Sequence, residues 1–137
     1  VGLGTFRPVS KGKLSEHKMH NEYAELSQVA ADKLSECRKQ NGRIIAVGTT
    51  STRVVESAAL QTGAALQPWE GNTDIFIRPP YQFQAIDALM TNFHLPKSTL
   101  IALVSAFAGR DLTMRAYAEA VEQRYRFYSY GDCMLIV

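Results

Sequence analysis

The sequence predicts an α/β fold, a mixed sheet flanked by helices, and three observations predict it. Short β-branched runs alternate with segments whose apolar residues recur at helical spacing. Glycine and proline punctuate the joins, at Gly42, Gly63, Pro79-Pro80, Pro96 and Gly109. Two polar turns, at Gly48 and at His94, each follow a strand pattern and open a helix. In α/β sheets such turns lie at the carboxyl ends of strands, where ligands bind.

The elements follow in order. Residues 1–6 read as a strand with Gly2 and Gly4 on one face, and residues 7–13 as a turn region holding Pro8 and Gly12. Over residues 17–25, Met19 and Tyr23 alternate loosely against His20 and Glu22, which predicts a strand. Ser27 is placed to cap a helix running to about Gln40; Ala30, Leu34 and Cys37 form its apolar face, and Asn41-Gly42 ends it. Residues 44–47 are a short β-branched run, hence a buried strand. Residues 48–52 form a polar turn before a helix with Val54, Val55, Ala58 and Ala59 inward, which stops at Gly63.

Residues 64–72 read as a loop around Trp69, residues 73–77 as a strand, and Pro79-Pro80 as a break. Residues 84–90 read as a further strand. The helix after Pro96 sets Leu100, Leu103, Val104 and Phe107 on one face and ends at Gly109. Asp111 or Thr113 starts the last helix, which puts Met114, Tyr117, Val121 and Tyr125 in line. Residues 133–137 are a terminal apolar strand.

A chain of 137 residues, 46% apolar and 20% charged, is sufficient for one globular domain with a core. No apolar run approaches the roughly 20 residues of a membrane span, so no membrane contact is expected. No secretory signal pattern opens the chain. The first residue is Val1 and a strand pattern starts at once, so the chain reads as a piece of a longer protein. A net charge of +2 permits contact with nucleic acid without arguing for it. Cys37 and Cys133 stand far apart in no metal spacing, which fits reduced thiols in a cytoplasmic protein.

Chemistry concentrates in a few segments. Thr91-Asn92-Phe93-His94-Leu95-Pro96-Lys97-Ser98 gathers hydroxyls, an amide, an imidazole and an ammonium before a very apolar helix. A helix N-terminus presents unpaired N–H groups to a sugar, carboxylate or phosphate. His94 is the main acid–base candidate, because imidazole titrates near neutral pH; the alternative is a histidine satisfied by backbone bonds. Asn92 is placed to orient it or to bind a sugar hydroxyl. Gly48-Thr49-Thr50-Ser51-Thr52-Arg53 offers hydroxyls and a guanidinium to a ribose or an anion, or is simply a solvated helix start. It lacks the ending of a P-loop, and Gly2-Leu3-Gly4 lacks the third glycine of a dinucleotide loop.

On a strand His20 and Glu22 share a face while His17 points away, which argues against a metal site. Asp132, after Gly131, is a turn residue, a ribose ligand or an acid for a leaving group. Tyr125, Phe127, Tyr128 and Tyr130, interleaved with Arg124 and Arg126, are either core and rim or a surface for stacking bases.

Five segments together carry a resemblance. They are Val1-Gly2-Leu3-Gly4-Thr5-Phe6-Arg7-Pro8-Val9, the His17, Met19, His20, Glu22 group, Gly48 to Arg53, Thr91 to Ser98, and the Tyr125 to Asp132 run. In that order they resemble the S-adenosylmethionine:tRNA ribosyltransferase-isomerase family of queuosine synthesis, with Cys133 where the family pattern more often has alanine. The resemblance implies that residues 1–137 are a single α/β domain fragment, the C-terminal portion of a larger two-domain protein whose N-terminal region is absent. It implies S-adenosylmethionine as co-substrate, no prosthetic group, and tRNA as partner through its anticodon wobble base. The ribosyl part would pass to 7-aminomethyl-7-deazaguanine and isomerise to epoxyqueuosine, releasing adenine and methionine.

That chemistry requires a base for the C5′ hydrogens beside the sulfonium and a proton donor for departing adenine. It also requires groups that hold the ribose and the methionine carboxylate. On this reading His94, Asp132, His20 and Glu22 are the catalytic candidates; Thr49, Thr50, Ser51, Arg53, Asn92 and Lys97 are the substrate-binding candidates; no residue is assigned to a metal. The two polar junctions are expected to converge on one hollow. The isolated span is expected to be inactive, with self-association through uncovered sheet edges open to it. The competing readings are a non-catalytic RNA-binding module and a structural half-domain.

Overall fold

The computed structural model describes residues 17, 19–63 and 66–137. Its order is strand β1 (Glu22–Leu26), helix α1 (Gln28–Lys39), strand β2 (Ile45–Val47), helix α2 (Thr49–Thr62), strand β3 (Trp69–Thr73), strand β4 (Ala88–Asn92), helices α3 (Thr99–Ala108) and α4 (Arg110–Glu122), a 3-10 turn (Tyr128–Tyr130) and strand β5 (Cys133–Ile136). The expectations for residues 1–6 and 7–13 lie outside the described residues.

β2 and β5 flank β4 in a mixed three-stranded sheet, β2 parallel to β4 and β5 antiparallel to it. Two-residue periodicity turns Ala46, Leu89, Met134 and Ile136 to one face. There they meet Ala59 of α2 and Leu103 and Val104 of α3 in the main core. β1 and β3 form a separate antiparallel pair. A second core joins that pair to the helices through Leu26, Ala31 and Ala58, with Trp69 packed against them.

Ser27 caps α1 as its residue type dictates, accepting from the Ala30 N–H. Ser98 does the same for α3, accepting from the Leu100 N–H at 3.1 Å. α3 buries Leu100, Leu103 and Val104, and Phe107 packs against the main core, the face its spacing predicts.

Six expectations are corrected. The strand expected over 17–25 begins at Glu22, so the alternation does not reach back to His20. Residues 44–47, expected as a buried strand, are buried only at Ile44 and Ala46; Ile45 and Val47 alternate to the exposed side, so β2 is covered on one face. Residues 69–72, expected as loop, are most of β3, where full register with β1 from Glu22↔Thr73 to Leu26↔Trp69 supplies what Glu70-Gly71-Asn72 lack in side chains. The strand expected over 73–77 stops at Thr73, whose hydroxyl accepts from the Ile75 N–H at 3.2 Å and turns the chain. The strand expected from residue 84 starts at Ala88, because the N–H groups of Gln84, Ala85 and Ile86 donate to the Glu56 carboxylate. The last helix starts at Arg110, and its inward face is Thr113, Tyr117 and Ala120; Met114 and Val121 are exposed and Tyr125 lies past its end.

Candidate functional site

The two polar junctions are neighbours. Val47 pairs with Met90 in the parallel ladder, and the Gly48 N–H donates to the Met90 carbonyl at 2.7 Å. Residues 48–53 and 93–98 therefore leave the carboxyl ends of adjacent strands, with Thr91 and Asn92 the last two residues of β4. Gly48 takes φ 90° and ψ 148°, a conformation almost confined to glycine, and α2 starts on the next residue rather than after a longer turn. The hydroxyls then divide. Thr49 and Thr52 are buried, and the Thr52 hydroxyl donates to the Gly48 carbonyl at 3.1 Å. Thr50 and Ser51 instead line an open groove of about 490 Å³ with Lys33, Leu34 and Val54.

His94 is buried at the other junction. Its Nε2 lies 3.0 Å from the Thr91 hydroxyl, and its backbone N–H donates to the Tyr117 hydroxyl at 2.9 Å. Burial lowers the imidazole pKa from 6.5 to about 4, so the ring is neutral at physiological pH. Thr91 and Asn92 point to opposite faces of β4, as strand geometry requires. Asn92 accordingly turns to the Asp132 carbonyl, donating at 3.1 Å, while Thr91 meets the imidazole. Lys97 is exposed with φ 60°, immediately before the Ser98 cap.

The segment after α4 folds back over Phe93. The Phe93 ring meets those of Tyr117, Tyr125 and Phe127 at centroid distances of 5.4, 5.6 and 5.4 Å. The Tyr128 N–H donates to the Phe93 carbonyl at 2.7 Å. Asp132 staples the return, accepting from the Arg126 N–H at 2.6 Å and from Arg126 Nη2 at 2.9 Å. The Arg126 guanidinium holds the Asp132 carboxyl below the usual carboxylate range. Tyr125, Tyr128 and Tyr130 keep exposed surface on this return, beside exposed Arg124.

Arg53 and Glu22, read from the sequence as separate groups, form one buried ion pair with Arg53 Nη1 2.8 Å from Glu22 Oε2. It joins α2 to β1. His20 is exposed just ahead of that strand. The structure thus brings Thr49 and His94 to adjacent junctions, links Asn92 to Asp132, pairs Arg53 with Glu22, and leaves Thr50, Ser51, Lys97 and His20 at the surface. Among the described residues no group of three or more His, Cys, Asp or Glu side chains is arranged to hold a metal ion.

Glu56 escaped the sequence reading, and Thr91 and Tyr117, named there only as a hydroxyl of the segment and as a helix-face residue, hold His94. Glu56 is fully buried and accepts from the Tyr81 hydroxyl and three backbone N–H groups. One signal was available, since Thr49, Thr52, Arg53, Glu56 and Ser57 fall at i, i+3, i+4, i+7 and i+8, a helical face made of polar residues.

Comparison with known proteins bears on the same segments. A family model described as queuosine biosynthesis protein matches residues 1–136. An S-adenosylmethionine:tRNA ribosyltransferase-isomerase of Symbiobacterium thermophilum is 60% identical over 137 residues, covering 100% of this chain and 40% of its own. One from Coxiella burnetii is 55% identical over 136 residues, 99% of this chain and 39% of its own. The crystal structure of an S-adenosylmethionine tRNA ribosyltransferase from Thermotoga maritima superposes with a TM-score of 0.77 at 49% identity, over 84% of this chain and 40% of that one. The chain spans about 40% of the length of the relatives it matches. With the family model covering all but its last residue, this chain belongs to the queuosine biosynthesis protein family.

Proposed function

We propose that this chain is the C-terminal portion of an S-adenosylmethionine:tRNA ribosyltransferase-isomerase. It would work with the remainder of that enzyme to move the ribosyl part of S-adenosylmethionine onto 7-aminomethyl-7-deazaguanine at the tRNA wobble position. Isomerisation gives epoxyqueuosine, and adenine and methionine leave. The observation that carries the reading is the adjacency of the two polar junctions at the ends of β2 and β4, fixed by the Gly48 N–H bond to the Met90 carbonyl. Such a position is where an α/β sheet receives a ligand. S-adenosylmethionine is the co-substrate; no residue is asked to hold a prosthetic group.

The roles follow from charge state and burial. A neutral His94 is not an imidazolium acid at pH 7, so its part is to accept a proton or to hold the ligand by hydrogen bonds. Asp132, kept ionised by Arg126, suits ribose hydroxyls better than protonation of adenine. His20, exposed and near the buried Glu22–Arg53 pair in sequence, is the proposed proton donor, with Glu22 and Arg53 positioning that edge. Thr49 and Asn92 would bind at the junctions, Thr50 and Ser51 in the groove beside α1, and Lys97 on the tRNA backbone.

The test joins the chain to the rest of the family polypeptide, adds S-adenosylmethionine and tRNA bearing the deazaguanine, and follows free adenine by chromatography. Release of adenine is expected from the joined protein and none from the chain alone. No adenine from a folded, joined protein removes the reading. Exposed Tyr125, Tyr128 and Tyr130 beside Arg124 favour one second reading, an RNA-binding module. It requires the chain alone to bind tRNA with a steep salt dependence.

A further inference from the structure

Among the described residues the three-stranded sheet is packed against the main core on one face, and on the other, where Ala88 alone of the apolar strand residues is buried, it exposes a run of large apolar side chains. Register sets Val47 beside Met90 and Met90 beside Leu135, so these three share the face opposite Ala46 and Leu89. Ile45 and Val137 extend the same face by alternation. Exposure is 53% for Ile45, 65% for Val47, 38% for Met90, 59% for Leu135 and 80% for Val137. Sheets with parallel strands are ordinarily buried on both sides, and contiguous exposed apolar residues mark an interaction surface. The patch continues round β5, the outer strand of this sheet among the described residues. A groove of about 290 Å³ there is lined by Leu112, Ala116, Leu135 and Val137, among others, and by no charged side chain.

We infer that this face and edge seat the part of the family polypeptide that lies outside the present span. The chain covers 40% of the Symbiobacterium relative and 40% of the Thermotoga chain, so a larger body of the same polypeptide remains to be placed against it. Permanent interfaces of this kind are apolar, like a domain core cut in two. The absence of charge from the patch disfavours RNA as the occupant, because nucleic acid is gripped through its phosphates. A covalently linked segment also meets the patch at high effective concentration. The inference rests on family membership and not on the proposed reaction.

The experiment compares peroxide oxidation of Met90 in the 137-residue chain and in the same chain within a full-length family polypeptide, read by mass spectrometry. Met114, exposed on α4, supplies the reference rate. Met90 is expected to oxidise roughly tenfold more slowly, relative to Met114, in the full-length polypeptide. Equal relative rates overturn the inference. So does a protected Met90 in the chain alone accompanied by a dimer in analytical ultracentrifugation, which assigns the face to a second copy. A second measurement uses the doubly substituted V47K, L135K protein, whose altered side chains face solvent in the isolated chain and leave its circular dichroism unchanged. In the full-length polypeptide this pair should restore Met90 oxidation toward the Met114 rate; persistent protection overturns the inference by a second route. Neither readout needs turnover, so failure here is distinguishable from failure of the proposed activity.

Discussion

Glu56 is the residue on which the path into β4 turns. Two carboxylate oxygens accept four bonds, at 2.8 Å from the Tyr81 hydroxyl and at 3.0, 2.9 and 3.2 Å from the N–H groups of Gln84, Ala85 and Ile86. Glu56→Gln keeps the volume but sets an NH₂ against donors. A buried donor left unmatched costs about 1–3 kcal/mol, so a loss of about 3 kcal/mol is expected in urea unfolding at unchanged m. Tyr81→Phe, which removes one donor and leaves the carboxylate three, should cost about 1 kcal/mol. A Glu56→Gln loss no larger than that of Tyr81→Phe would remove Glu56 from this role. His94 makes a second prediction. Its folded pKa of about 4 lies below the free value of 6.5, so the folded state binds fewer protons between those pH values. The stability it contributes is complete above pH 6.5 and is lost as pH falls toward 4, by about 3 kcal/mol in all. Stability measured against pH should therefore fall more steeply for the parent chain than for His94→Gln over that window. Parallel curves would show that burial does not shift this imidazole.

At the scale of elements, α2 explains both what the sequence made legible and what it hid. Apolar spacing identified α1, α2 and α3, because burial along one helix face is local and periodic; the β-branched run identified β2 as a strand but not which of its side chains are covered, since Ile45 and Val47 are exposed. The polar face of α2 runs at the same period yet is also buried, so hydrophobicity alone marked only Val54, Val55, Ala58 and Ala59. β3 was hidden because its middle residues contribute backbone pairing instead of apolar area, and Gly71 is there because a Cβ would stand 3.2 Å from the Trp69 ring. In the candidate site the motifs were legible by residue type, but their partners were not. Nothing local says that Asn92 meets Asp132, residues 40 apart, or that Arg53 meets Glu22, residues 31 apart. The start of α2 is also testable. A Cβ on Gly48 would meet nothing within 4 Å, so Gly48→Ala isolates backbone strain at φ 90°. The expected cost is about 1–3 kcal/mol in urea unfolding, with no packing term. A neutral substitution would mean that this backbone conformation relaxes freely.

The described residues form two sheets, and α2 contributes to the cores of both. α2 packs Ala59 into the main core and Ala58 against Leu26 of β1, and its polar residues reach the β1–β3 pair at two further points one turn apart. Arg53 Nη1 meets Glu22 Oε2 at 2.8 Å in β1, and the Ser57 and Thr73 hydroxyls lie 2.7 Å apart at the end of β3. Both links are buried. Removing one partner of a buried ion pair leaves its charge in a poorly solvating interior, at a cost of about 3–5 kcal/mol. Losing one neutral hydroxyl bond costs about 1 kcal/mol. Arg53→Met should therefore destabilise far more than Ser57→Ala, and the damage should not be uniform. Among the described residues the β1–β3 pair is held by these polar links and by the small core around Leu26, Ala31 and Ala58, whereas β2, β4 and β5 keep the larger core. Hydrogen exchange of Arg53→Met should release the paired amides of Tyr23 to Asn72 ahead of those of Leu89 and Ile136. If protection falls equally in both sheets, the pair and the main sheet open as one cooperative unit, and α2 is not the joint between them.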